Sequence, residues 1–195
     1  MILTVSGDAD AANQDLCTIA GDACDRITVD QKTGTVRFNT EGLDLSKNEG
    51  AALVNDLVMS QSHYDFSVGA TVETAGGTIH VDHIANLDNN YDQRYDIRKP
   101  PGKVATEKPK PGVDDQVDLN PKADVRSDTK LKTATQDSVT FHELAEAYSK
   151  VDHSKQYSEA HQEAIQREQK LRDQRPYLKE HNPGSGPGDR IIIKR

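Results

Sequence analysis

Apolar residues recur along this chain at two spacings. Phe141, Leu144, Ala145 and Tyr148 follow the i, i+3, i+4, i+7 interval that gathers side chains on one face of a helix, and Tyr157, Ala160, Ala164 and Leu171 extend a second stripe. Two helices are therefore predicted within residues 137–175. Pro176 stops the second near Gln174 or Arg175, because the residue before a proline is driven out of the helical region. A third stripe, Leu53, Val54, Leu57 and Val58, follows Ser46-Lys47-Asn48-Glu49, which reads as a capping box and predicts a helix over 47–60. Residues 9–20 are weakly helical.

Elsewhere the period drops to two. Ile2 to Val5 reads as a short strand broken by Ser6-Gly7-Asp8. Ile27–Val29 and Val36–Phe38, joined by a turn-rich loop ending in Gly34, predict a hairpin. Tyr64, Phe66 and Val68 alternate, as do Ile79 and Val81 after Ala75-Gly76-Gly77, and predict a second hairpin. Val117–Leu119 is expected as an edge strand ended by Asn120-Pro121, and Ile191–Ile193 as a terminal strand added to the sheet. The fold class expected is α+β: a small mixed or antiparallel sheet packed by the 47–60 helix and the two helices of 137–175. One domain is expected over 1–180, with a long irregular loop and edge strand over 86–121 within it, and 181–195 as a flexible connector and terminal strand.

Composition narrows the function classes. With 34% hydrophobic residues, 5% aromatics and no Trp in 195 residues, the core must be modest. A net charge of -8 opposes binding to nucleic acid or an anionic membrane surface, both of which need clustered Lys and Arg. No apolar run reaches the roughly 18 residues of a membrane span, and MILTVSGDADAANQ has no signal-peptide pattern. A monomer is expected. Cys17 and Cys24 read either as a disulfide or as two reduced thiols, with the disulfide preferred, and are too few for a structural zinc site.

The candidate chemistry lies opposite the first apolar stripe. His142 and Glu146 stand one helical turn apart on the same side, with Glu143 beside them. The reference pattern is H-E-x-x-H, whose two His bind zinc while the Glu takes a proton from water. Here Glu146 occupies the place of the second His, and a carboxylate is a competent zinc ligand. The next helix offers the third ligand: His161 is ranked first, and small Ala164 lets the helices approach. Asp152, six residues beyond Glu146, ranks second, although Ser149 stands where a metzincin-type motif has Gly. Glu168 ranks third, as ligand or as the carboxylate that orients a ligating His. The proposed set is zinc on His142, Glu146 and His161, with Glu143 as general base. The competing expectation is a solvated helix face that carries His and Glu by chance. Tyr157 reads as a core or capping aromatic rather than an oxyanion donor, and His80 and His83 as ordinary surface histidines.

The stretches FHELAEAY and AHQEAIQREQKLR resemble the small zincin metallopeptidases deployed as bacterial effectors and as toxin modules of Rhs-type proteins. NEGAALVNDLVMSQSHYDFSVG resembles their upstream helix and strand, so the resemblance covers residues 45 to 172. It implies a zinc peptidase cutting a protein substrate, secreted or delivered to a target cell, with an edge strand beside the active helix receiving substrate. Glu146 in place of His departs from the family pattern. The alternative is a catalytically inactive zincin-like binding or structural module.

Overall fold

A computed structural model describes residues 2–80, 90–91, 110–119, 132–175 and 191–194. His83, Val81, Pro176, the connector and most of the expected long loop lie outside the described residues. Alternation in β1 (Ile2–Gly7) sends Leu3 and Val5 to one side of a sheet, where both are buried. β1 pairs in parallel with β4 (His63–Val68), from Ile2↔His63 to Gly7↔Val68. On the other side of β4 runs β8 (Asp115–Leu119), also parallel, with Tyr64 opposite Asp115 and Phe66 opposite Val117. The short strand β7 (Asn90–Tyr91) closes the sheet antiparallel against Asp115 and Gln116. The chain is thus α+β with a mixed sheet, as its periodicities predict.

Leu3, Val5, Tyr64, Phe66, Val68 and Val117 present one apolar face to the helices. α1 (Ala9–Ala20) supplies Leu16 and Ile19, and its first turn is capped by the Asp8 carboxylate, which accepts from the Ala11 N–H at 3.0 Å. α2 (Glu49–Met59) supplies Leu53, Val54 and Leu57. Its cap is Asn48, accepting from the Ala51 N–H at 3.0 Å, not Ser46 as the capping-box reading had it. Ser46 lies instead in a 3-10 turn, Leu45–Lys47, that Asp44 caps. The opposite face of the sheet is polar yet covered: Asp65 accepts from Thr4 and Ser6 hydroxyls, each at 2.7 Å, and pairs with Lys110 at 2.9 Å.

The hairpin of β2 (Ile27–Val29) and β3 (Val36–Phe38) is antiparallel, as predicted. The second hairpin differs. β6 (Gly77–His80) pairs with β5 (Thr71–Thr74), while the 64–68 run is β4 in the main sheet. Buried Tyr64, Phe66 and Val68 fit a central parallel strand, and the tight turn at Thr74–Gly77 takes the nearest upstream residues as its partner. Val117–Leu119 belongs to β8, whose outer side β7 covers at Asp115 and Gln116. The terminal run forms β10 (Ile191–Lys194), which pairs in parallel with β9 (Lys132–Thr135) as a separate ribbon instead of joining the main sheet. Cys17 and Cys24 form a disulfide. Among the described residues no helix is long and apolar enough to cross a membrane.

Candidate metal centre

Two helices carry the site. α3 (Gln136–Val151) buries Phe141, Leu144 and Ala145 against the sheet and the first two helices. α4 (Tyr157–Gln174) returns alongside α3 and buries Ala160, Ala164, Glu168, Leu171 and Arg172. The alanines leave room for side chains between the helices. For this reason the face of α3 opposite its apolar stripe is not solvated: the side chains of His142, Glu146 and His161 are 13%, 3% and 19% exposed.

These three residues converge as a potential ligand group. His161 Nδ1 lies 2.8 Å from Glu146 Oε2 and 3.1 Å from His142 Nε2, and the third edge of the triangle, His142 Nε2 to Glu146 Oε2, is 3.6 Å. Ligands held at about 2.0–2.1 Å around a tetrahedral ion stand roughly 3.3–3.4 Å apart, so the observed triangle fits one four-coordinate cation. Two imidazoles and a carboxylate are also a donor set of catalytic zinc. Glu168 Oε2 meets His142 Nδ1 at 3.1 Å, behind the face that His142 turns to the other two. That contact assigns the proton to Nδ1 and leaves Nε2 as the donor atom. Glu168 therefore stands where an orienting carboxylate would, the second of the roles open to it.

Buried charge is matched on both helices. Glu146 Oε1 pairs with Lys150, and Glu168 Oε1 lies 3.4 Å from Arg172 Nη1. Burial opposes a charge on His142, yet hydrogen bonds to Glu146 and Glu168 and the charges of Glu143 and Glu168 outweigh it and raise its pKa to about 10, so a cation held at Nε2 would have to displace the proton from that nitrogen. Glu146 is held well below the usual carboxylate range: burial works the other way, but His142, His161 and Lys150 all favour its anion. Glu143, next to His142, is half-buried.

Asp152 does not join the cluster. It accepts from the Ser60 hydroxyl at 2.7 and 2.8 Å and from the Tyr64 hydroxyl, on the side of β4 and the end of α2. The reason is axial rise: α3 continues to Val151, and six residues at about 1.5 Å each carry residue 152 roughly 9 Å beyond Glu146. Tyr157 stacks on the His161 ring at 5.5 Å and 28°. His80 ends β6. Lys150 and Arg172 were not anticipated, although each stands four residues after its glutamate, the spacing at which a helix pairs acid with base.

Comparison of the chain with protein-family models, with curated proteins and with solved structures returned no match.

Proposed function

We propose that this protein is a zinc-dependent peptidase in which His142, Glu146 and His161 hold the metal and Glu143 is the general base. The observation that carries the reading is the triangle of 2.8, 3.1 and 3.6 Å between His161 Nδ1, His142 Nε2 and Glu146 Oε2. Zinc in a His₂Glu set supplies Lewis acidity toward a carbonyl and acidifies water near neutral pH. The residues do the rest. Glu168 keeps the proton of His142 on Nδ1, and Lys150 occupies Glu146 Oε1. Glu143 takes a proton from the attacking water on its carboxylate and returns it to the leaving amine. By the family resemblance, an extended protein substrate would pair with the outer side of Val117–Leu119, which has no strand partner among the described residues.

A second reading has one observation in its favour. Glu146 and Glu168 are each already paired with a buried cation, which suits a closed polar core in a non-catalytic binding or structural module. Two measurements separate the readings. Zinc content of purified protein is expected at about one equivalent, and to vanish in the His142→Ala/His161→Ala double variant. In Glu143→Gln, zinc is expected unchanged while hydrolysis of an unfolded protein falls by about 10²–10⁴-fold, the loss typical of a missing general base. Wild-type protein that holds no zinc sinks the peptidase; zinc-loaded wild type with no hydrolysis leaves the module.

A further inference from the structure

Lys150 is fully buried, at 0% side-chain exposure, one turn after Glu146 on α3. A lysine in such a place forfeits its hydration and must be paired, so its partner defines its role. Its ammonium contacts Glu146 Oε1, whereas Oε2 of the same carboxylate faces His161 Nδ1 at 2.8 Å and His142 Nε2 at 3.6 Å. The two oxygens of one ligand are thereby given different tasks. The ammonium also lies 4.9 Å from the centre of the Tyr157 ring, and that ring stacks on His161. Lys150 holds one ligand directly and braces another through Tyr157.

We propose that Lys150 is a positioning residue that makes Glu146 a one-oxygen ligand, so that the site selects a four-coordinate cation over cations that take both oxygens of a carboxylate. This rests on the metal reading above and deepens it. An unrestrained carboxylate offers both oxygens to a cation, and ions that gather six or more oxygen ligands use it that way. Zinc is satisfied by four donors and takes nitrogen as readily as oxygen. A fixed ammonium on Oε1 engages that oxygen's lone pairs and repels a cation moving toward it. The remaining oxygen and two imidazole nitrogens complete three corners of a tetrahedron.

The test uses the full chain as wild type, Lys150→Met and Lys150→Arg, with cobalt as a spectroscopic stand-in for zinc and manganese as competitor. Wild type is expected to give the intense visible band of four-coordinate cobalt and to prefer zinc to manganese. In Lys150→Met, Glu146 is free to close on the ion with both oxygens. The band should weaken and the zinc-over-manganese preference fall by about 10–100-fold, the range for losing a group that orients a metal ligand. Lys150→Arg keeps the charge, but its planar fork reaches across both carboxylate oxygens. Zinc affinity should therefore fall with the melting temperature held, an outcome that charge neutralisation alone does not produce. Should the methionine variant fail to fold, the arginine variant decides. Variants that keep the wild-type spectrum and preference overturn the role of Lys150 and leave the metal site standing; wild type that takes up neither cobalt nor zinc overturns the metal reading itself.

Discussion

A phenol and a carboxylate meet away from the candidate metal centre, where Tyr64 donates to Asp152. The pairing disposes of Asp152 as a ligand and creates a titration of its own. Burial pushes the Tyr64 phenol above its ordinary value of 10.0, and the hydrogen bond to Asp152 together with the charges of Asp152 and Asp115 pushes the same way. The folded-state pKa is raised, so the contribution of neutral Tyr64 is complete below pH 10.0 and is lost as pH rises above it, because the unfolded chain alone releases the proton. Wild type should therefore lose about 1.4 kcal/mol of stability per pH unit in that alkaline window from this residue. Denaturant titrations of wild type and Tyr64→Phe from pH about 8 to about 12 check it. Parallel stability curves for the two proteins would contradict the assignment.

Among the elements, the crossing of α1 and α2 is set by Gly50. Alanine ordinarily stabilises a helix interior by about 0.8–1.0 kcal/mol relative to glycine. At this position a Cβ would fall inside the van der Waals radius of the Ile19 carbonyl oxygen, a backbone atom with no rotamer to yield. Overpacking of this kind costs about 1–3 kcal/mol and outweighs the propensity gain. Gly50→Ala is expected to lower the denaturation midpoint, and a raised midpoint would mean that the two helices separate with little loss. The stripe of Leu53, Val54 and Leu57 announces that α2 is buried; it does not announce how closely α1 approaches. Strands were legible in the same partial way. The alternation of Tyr64, Phe66 and Val68 identifies a strand, but its partners β1 and β8 are remote in sequence and left no local trace.

Across the whole molecule, α4 is tied back to the first third of the chain. Arg167 bonds Glu49 at 2.6 Å and Asp56 at 3.0 Å, and Arg175 donates to the Thr18 carbonyl at the end of α1. The Cys17–Cys24 disulfide holds that same end of α1 against the 3-10 turn that follows it. Its sequence separation of 7 closes a small loop, for which the chain-entropy estimate is about 2–3 kcal/mol. Reduction should lower the melting temperature accordingly while leaving any zinc content unchanged, since the proposed ligands lie on α3 and α4. An unchanged melting temperature, with free thiols verified by titration, would show that the bridge adds nothing to the fold.

What repeats locally is legible in the residues before any fold is known. Helical stripes and strand alternation place α2, α3 and α4, the first hairpin and the α+β class. The i, i+4 interval of His142 and Glu146 marks one face of α3 as a candidate ligand face. Such features depend on residues within a turn or two of each other, and a single chain segment expresses them. Packing between remote segments is what makes His161 complete the triangle, sets Glu168 behind His142, and turns Asp152 to Tyr64 and Ser60. These outcomes follow from α4 packing beside α3 across small Ala160 and Ala164, and from the axial distance that carries residue 152 past the site. The buried pairing of Lys150 with Glu146 belongs to the same class: its spacing is local, but its burial, and with it the division of labour between the two carboxylate oxygens, exists once α4 covers α3.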